Sequence, residues 1–288
     1  MSQFYKITLF FLASLVLTHS AIAQDKSAYQ LFNSKGKKVA FQKMLKEASQ
    51  SDIVFFGELH NNAISHWLQY ELTNELNKSR KLILGAEMFE ADNQEGLNQY
   101  LQSLINEDSL SSKVRLWPNY PTDYKPLVKL AKEHQLPFIA TNVPRRYASQ
   151  VYRKGVESLD SLSTEEKNWM APLPFAYDSN VACYKNMLSM GGGHGGENLP
   201  KAQALKDATM AYFILKNFEA GKLFIHYNGA YHSDNHEGIV WQIRQNNQNL
   251  KIITISTVNQ SDLKKLTDEN KGKADFIICV DEDMTPTY

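Results

Sequence analysis

This sequence has few cysteines, no excess of charge of either sign, and no long apolar run after its first residues. The 288 residues include only two cysteines, Cys183 and Cys279, too few for a disulfide framework or a four-cysteine zinc site. The 31 Lys and Arg residues equal the 31 Asp and Glu residues, so no general field attracts nucleic acid, and we expect none as a partner. Beyond residue 24, no apolar stretch approaches the roughly 20 residues that span a bilayer.

The first residues have the pattern of a cleaved signal peptide. Lys6 precedes an apolar run over residues 7–17, and Ala21-Ile22-Ala23 forms an A-x-A cleavage site. We therefore predict a signal peptide over residues 1–23 and a single mature domain over residues 24–288. No cysteine follows the cleavage site, so we expect an exported, periplasmic protein without a lipid anchor.

Short β-rich runs alternate with longer helical patterns along the mature chain. This order is typical of a parallel sheet with crossover helices, and near-continuous apolar runs are typical of strands buried on both faces. The sequence thus predicts an α/β fold, with a mostly parallel open sheet flanked by helices on both faces. The predicted strands are Asp52 to Gly57, Lys81 to Glu87, Pro137 to Thr141, Lys222 to Asn228, Lys251 to Thr257 and Ala274 to Val280.

Three helical patterns and one irregular region separate these strands. A helix is predicted directly after His60, a second before Pro137, and a third from about Lys201 to Phe218. Residues 158–200 fit the rhythm least well, because they contain two prolines and a glycine-rich run over residues 191–196 that includes His194. We interpret them as a small helical or irregular insertion that could form a lid.

Polar side chains follow four predicted strands. Ligands of open parallel sheets bind at the carboxyl ends of the strands, where the loops diverge. Burial of an unpaired carboxylate or histidine there costs several kcal/mol, so we predict that these side chains converge on a shared hollow. They are Glu58 and His60 after the first strand, Glu87 at the end of the second, Asn142 and Arg145 after the third, and His232 after the fourth.

Each of these residues also has a structural interpretation. Glu58 and His60 could cap the following helix, Glu87 could pair with Arg145, and His232 could be an exposed loop residue. His226 lies inside a predicted strand and is expected to be a hydrogen-bonded core histidine. On the apolar face of a predicted helix, Asp207 needs a partner, either Arg145 or one of the histidines.

Several short motifs, taken in order, resemble one known family. The resemblance extends over roughly Ser51 to Ile243 and identifies the chain as similar to the ChaN-like haem-binding uptake family of the Tiki superfamily. It implies an α/β fold, an exported protein of haem or iron acquisition, tyrosine-coordinated haem, and a dimer that can bring two haems face to face. The motifs are Gly57-Glu58-Leu59-His60, Glu87, Trp117 with Tyr124-Lys125-Pro126-Leu127, Asn142-Val143-Pro144-Arg145, Lys206-Asp207-Ala208-Thr209-Met210-Ala211 and Gly229-Ala230-Tyr231-His232.

The family motif makes Tyr124 the predicted axial ligand of haem iron. A phenolate oxygen suits ferric haem, and the absence of a C-x-x-C-H motif excludes covalent c-type attachment. Tyr124 could instead only pack beside Trp117. A haem transporter or receptor is the expected partner. The other predicted haem-binding residues are Trp117, Tyr120 and Phe138 for the apolar slot, Arg145 and Arg146 for the propionates, His60 and His232 near the cofactor, and Asn142 and Asp207 behind them.

A second hypothesis is a metal-dependent hydrolase. Distant members of the same superfamily include metal-dependent proteases and erythromycin-esterase-like enzymes, and their motifs look like Glu58, His60, Glu87 and His232. These four residues could hold a divalent metal such as zinc or manganese, whose bound water attacks a carbonyl. No H-E-x-x-H motif fixes such ligands on one helix, however. A third possibility is a polar cluster that only stabilises the sheet end.

Overall fold

A computed structural model describes residues 26–190 and 196–288 of the protein. The predicted signal peptide and most of the glycine-rich run, including His194, lie outside these residues. The described strands are β1 (Tyr29–Asn33), β2 (Ile53–Glu58), β3 (Leu82–Glu90), β4 (Phe138–Asn142), β5 (Leu223–Gly229), β6 (Ile252–Gln260) and β7 (Phe276–Asp281). The α-helices are α1 (Phe41–Ala48), α2 (Ala63–Asn77), α3 (Gln94–Leu101), α4 (Glu107–Lys113), α5 (Lys125–Glu133), α6 (Arg145–Lys154), α7 (Thr164–Lys167), α8 (Ala182–Met190), α9 (Asn198–Asn217) and α10 (Ile239–Asn246).

All seven strands form one open sheet in the order β1-β7-β6-β2-β5-β3-β4. Six of them are parallel and coincide with the six predicted strands, which confirms the predicted fold class. The seventh, β1, pairs antiparallel with β7 at the edge of the sheet and was not predicted. The topology places β2, β5 and β3 side by side in the centre, with their carboxyl ends at the same edge.

Helices cover both faces of the sheet, as predicted. Alternate residues of β2 point to opposite sides: Val54 and Phe56 pack in the larger core with α2 and α5, and Ile53 and Phe55 pack in a second core with α9 and α10. All four side chains are fully buried. Burial on both faces explains why the central strands are continuously apolar in sequence.

The predicted insertion consists, in its described part, of short helical segments between α6 and α9. It contains a 3₁₀ turn over Val156–Leu159, the one-turn helix α7, an irregular stretch, and α8. Trp169 and Phe175 from this region pack on a small core shared with α6 and α9. Within residues 26–190 and 196–288, the helices are all too short or too polar to cross a membrane.

Candidate functional site

The parallel register of the central strands brings the predicted site residues together. Glu58, the last residue of β2, lies opposite Gly229, the last residue of β5. His60 follows Glu58 by two residues, and His232 follows Gly229 by three, in a short 3₁₀ turn. The two histidines therefore leave neighbouring strands at the same edge. We call Glu58, His60, Glu87, Asp207 and His232 the strand-end cluster.

Glu58 is buried and fully engaged by three neighbouring side chains. Its Oε1 accepts a hydrogen bond from the Tyr124 hydroxyl at 2.7 Å and lies 2.9 Å from Nδ1 of His60. Its Oε2 accepts from the Gln69 amide at 2.5 Å. Glu58 does not cap the following helix, because the side chain of Asn62 caps α2 by accepting from the Ser65 N–H.

His60 is the solvent-accessible member of the cluster. Its side chain is 36% exposed, whereas that of Glu58 is fully buried. The bond to Glu58 orients the ring and leaves Nε2 beside Gly229, where a Cβ atom would approach within 2.8 Å. The ring therefore occupies the space that a side chain at Gly229 would take. It also packs edge-on against Trp117, with centroids 5.0 Å apart.

Glu87 reaches the cluster through an irregularity in β3. The pairing of β3 with β4 shifts register between Ala86 and Glu90, and Glu87 lies inside this bulge. Bulges of this kind redirect side chains near functional sites. The Oε2 atom of Glu87 accepts from the backbone N–H of Gly229 at 2.8 Å, and Oε1 lies 3.2 Å from Nε2 of His232. Glu87 therefore pairs with His232 and not with Arg145.

His232 is held between two buried carboxylates. Its Nδ1 atom lies 2.5 Å from Oδ1 of Asp207, and its Nε2 faces Glu87. Tyr184 of α8 in turn donates its hydroxyl to Oδ2 of Asp207 at 3.0 Å. Asp207 thus orients a histidine, which is one of its two predicted roles. His232 is only 5% exposed, so it is not an exposed loop residue.

The charges of the cluster control its protonation. Burial favours neutral His232, but the charges of Glu87 and Asp207 outweigh burial and raise the pKa of this imidazole to about 10. Burial likewise opposes ionisation of Glu87, yet His232 holds the pKa of this carboxyl well below its usual range. Burial also favours neutral His60, but the hydrogen bond to Glu58 and the charges of Glu87 and Glu58 raise its pKa. The cluster therefore holds its inner histidine as an imidazolium at neutral pH.

Tyr124 lies beneath the cluster and is not at its surface. It is 2% exposed, and its hydroxyl donates to Glu58. Burial and the nearby charge of Glu58 raise the pKa of this phenol far above its ordinary value, so the phenolate form is strongly disfavoured. It also packs edge-on against Trp117, with ring centroids 6.0 Å apart. In this arrangement Tyr124 acts as a support for Glu58.

Several residues predicted for a haem slot lie elsewhere. Tyr120 and Phe138 are buried in the main core, because their rings pack against Phe89 below the sheet edge. Arg146 forms an ion pair with Asp92 at 2.6 Å. Only the half-buried Trp117 has the predicted position, in contact with the accessible histidine. In this arrangement Tyr120 and Phe138 are core residues and Arg146 is paired with Asp92, and their part in a haem slot stays a prediction.

Arg145 and Asn142 lie at the end of β4, close to the cluster but outside its ion pairs. Asn142 donates its side-chain amide to the backbone carbonyl of Glu87 at 2.9 Å. Its Oδ1 atom is buried and has no hydrogen-bond partner among the described residues. Arg145, the first residue of α6, is exposed and forms no ion pair with Glu87 or Asp207 within the described chain.

The predicted zinc or manganese set does not fit a metal ion in this arrangement. Glu58, His60, Glu87 and His232 converge as predicted, but both ring nitrogens of His232 face carboxylates, and Nδ1 of His60 faces Glu58. Across residues 26–190 and 196–288, three or more His, Cys, Asp or Glu side chains nowhere form a group suited to a metal. His226 is the core histidine expected, bonded to Thr141 at 2.8 Å.

Three supporting residues escaped the sequence analysis. Gln69 binds Glu58, Gln203 lies 3.1 and 3.2 Å from the two ring nitrogens of His232, and Tyr184 binds Asp207. Gln69 carried a usable signal, since it is a polar residue adjacent to the apolar stripe of α2. Tyr184 carried none, because it comes from the irregular insertion.

Fold and cluster together define an α/β protein with a histidine–carboxylate site at the carboxyl edge of its sheet. The chain belongs to the family described as haem-binding uptake, Tiki superfamily, ChaN, whose family model matches residues 44–243, more than half of the sequence. The resemblance found in the motifs is thereby confirmed.

The chain is similar to two proteins of solved structure and to one curated plant protein. A solved structure of ChaN of Campylobacter jejuni, described for cofacial haem binding, matches with a TM-score of 0.65 at 17% identity, over 88% of this chain and 97% of that one. An erythromycin esterase, EreC, in its open conformation matches with a TM-score of 0.50 at 9% identity, over 90% and 100%. These two likenesses show a shared fold.

The third is the chloroplastic protein RETICULATA-RELATED 5 of Arabidopsis thaliana, 25% identical over 199 residues. That match covers 63% of this chain and 26% of the plant protein, so the chain spans about a quarter of the length of this curated relative.

Proposed function

We propose that this protein binds haem at the carboxyl edge of its sheet and serves haem or iron acquisition outside the cytoplasm. The proposal rests on His60, an oriented, half-exposed imidazole at the centre of the edge. A carboxylate partner on one ring nitrogen fixes the orientation of the other, as is common for histidine ligands of metals. Membership of a haem-binding family supports the same ligand. When bound, haem would supply an iron centre that could take a protein side chain as a ligand.

The residues around His60 fit one face of a flat aromatic ligand. Trp117 packs edge-on against the His60 ring, and the missing side chain of Gly229 gives that ring its place at the sheet edge. We propose a homodimer with two facing haems, in line with the cofacial binding described for ChaN of Campylobacter jejuni. A haem transporter or receptor would then receive the cargo.

Two side chains, His60 and Tyr124, are candidates to bind the haem iron. Ligation by Tyr124 requires its hydroxyl to leave Glu58 and to become exposed, at the expense of a buried charge-assisted hydrogen bond. Ligation by His60 requires neither. We therefore propose His60 as the protein ligand and Tyr124 as the residue that holds Glu58 in place.

Titration of the purified protein with ferric haem tests this proposal. We expect a shifted Soret band that saturates near one haem per chain, and His60→Ala should weaken binding by at least about tenfold, or about 1.4 kcal/mol. Tyr124→Phe should retain a histidine-type spectrum by electron paramagnetic resonance. His134→Ala, at the exposed C-terminal end of α5, is the matched control and should leave binding unchanged.

The outcomes separate the ligands and the functions. Loss of the band in Tyr124→Phe with retention in His60→Ala would assign the tyrosine as ligand. Absence of any haem band in the wild-type protein would contradict the haem proposal.

A hydrolase is the second candidate, and the bond between Glu58 and His60 is the observation that favours it. A carboxylate-oriented histidine beside a second, protonated histidine is an arrangement suited to general acid–base catalysis. Ester hydrolysis without haem binding, abolished by His60→Ala, would support this candidate. Stoichiometric zinc or manganese in the same preparation would support a metal-dependent hydrolase, which the present geometry does not favour.

A further inference from the structure

A small cleft opens between helices α6 and α9, directly beside the strand-end cluster. Its volume is about 200 Å³, enough for a carboxylate or phosphate group with its water. Residues at helical spacing on each helix line it, so its walls are rigid elements. The polar side chains that line it include Arg145 from α6 and Gln203 and Lys206 from α9.

Two cations face this cleft without a carboxylate partner. Neither Arg145 nor Lys206 forms an ion pair with any described residue, whereas Arg146, the next residue in the chain, is paired with Asp92. Arg145 is exposed, and Lys206 is half-buried. Arg145 is also the first residue of the ten-residue helix α6, whose N-terminal end adds partial positive charge. The cleft is therefore electropositive in a chain of zero formal net charge.

The cleft is continuous with the cluster through α9. Gln203 lines the cleft and contacts the His232 ring, while Asp207, one residue after Lys206, holds the same ring. Lys206 is also near enough to Glu87 for its charge to help lower the pKa of that carboxyl. A ligand whose centre lies over His60 and His232 could thus extend a short arm between α6 and α9.

We propose that this cleft is the subsite for a carboxylate arm of the ligand, held by Arg145 and Lys206. The inference builds on the proposed haem function, in which the arm is a propionate. A guanidinium binds a carboxylate through two parallel N–H bonds, and an ammonium adds a point charge beside it. Arg145 was predicted from the sequence to bind a propionate, and the structure adds Lys206 and Gln203 to that assignment.

Esterified haem is the direct probe, because haem dimethyl ester keeps the iron and the ring but lacks the two carboxylates. The wild-type protein should bind haem about tenfold more tightly than the dimethyl ester in the same detergent buffer. Arg145→Ala and Lys206→Met should each remove most of this preference by weakening haem alone. Arg153→Ala, on the last turn of α6 and outside the cleft, is the control and should keep it.

Binding of inorganic phosphate provides a test of the subsite that does not depend on haem. At constant ionic strength, phosphate should raise the wild-type melting temperature above its value in chloride, and the variant with both Arg145→Ala and Lys206→Met should lose this rise. Equal affinity of the wild type for haem and its ester would overturn the propionate assignment. If neither porphyrin binds, the haem proposal fails, and the phosphate experiment alone tests the subsite. An equal effect of phosphate on the melting temperatures of wild type and double variant would then overturn the anion subsite as well.

Discussion

Each histidine of the cluster is oriented by a carboxylate, and each of these carboxylates is held by a buried tyrosine. Tyr124 donates to Glu58, which contacts His60, and Tyr184 donates to Asp207, which contacts His232. A carboxylate bonded in this way cannot rotate without leaving a buried polar group unpaired. The positions of the two imidazoles are therefore fixed by residues that need not touch a ligand.

The raised pKa of His232 predicts a pH-dependent contribution to stability. An unfolded histidine has a pKa near 6.5, and the folded value is about 10, so folding favours the protonated form. The stabilisation is fully present below pH 6.5 and is lost as the pH rises towards 10. We expect the difference in free energy of unfolding between wild type and His232→Gln to shrink by more than about 1 kcal/mol over this interval, as measured by urea unfolding.

His226 provides the comparison for this experiment. It is fully buried, and burial lowers the pKa of its imidazole to about 4. Its folded pKa is depressed, so its contribution is present above pH 6.5 and is lost as the pH falls towards 4. Between pH 6.5 and 10, the free energy of unfolding of His226→Gln should therefore change with pH as it does in the wild type. If His232→Gln leaves the pH dependence of the free energy of unfolding unchanged over this interval, the assignment of a charged His232 is contradicted.

Among the elements, the end of β5 has the tightest steric requirement in the site. Gly229 has φ −55° and ψ 136°, a conformation open to any residue, so backbone strain does not require glycine here. The requirement comes from His60, since a Cβ atom would lie 2.8 Å from Nε2 and 2.9 Å from Cε1. The absence of a side chain on one strand thus makes room for the histidine that follows its neighbour.

Gly229→Ala should therefore destabilise the protein mainly through His60. We expect a cost of about 1–3 kcal/mol in the wild-type background, as for other overpacked sites, together with weakened haem binding. In a His60→Ala background the same substitution should cost less than about 0.5 kcal/mol, because the crowding atoms are gone. Urea unfolding of the four proteins measures the coupling. Equal costs in both backgrounds would show that His60 is not the obstacle.

The sequence was enough to predict the parallel strands, but it did not reveal the contacts that hold the strand-end cluster in place. The six parallel strands were recognisable because burial on both faces makes them apolar throughout. The edge strand β1 was missed because its residues Tyr29, Gln30 and Asn33 are half-buried and polar at intervals. Glu58, His60, Glu87 and His232 were found from their place after strands, but the role of Tyr124 depends on packing that no spacing reveals.

At the scale of the whole molecule, the proposed role requires export of the chain. Residues 1–23 carry the signal pattern, and we propose cleavage between Ala23 and Gln24. Expression of the full chain in a Gram-negative host, followed by N-terminal sequencing of the periplasmic protein, should yield a chain that begins at Gln24. An Ala21→Leu, Ala23→Leu variant should accumulate as an uncleaved precursor. A cytoplasmic protein with an intact N-terminus would contradict the proposal.

The tyrosines that support the cluster come from opposite sides of the sheet. Tyr124 belongs to the core formed with α2 and α5, and Tyr184 packs with α8 and α9 on the other face. A change of packing in one layer would therefore act directly on the carboxylate that contacts one imidazole, and would reach the other imidazole only through the charges of the cluster. Substitutions of Tyr124 and of Tyr184 would therefore act on two separate supporting contacts, although both contacts serve the same edge of the sheet.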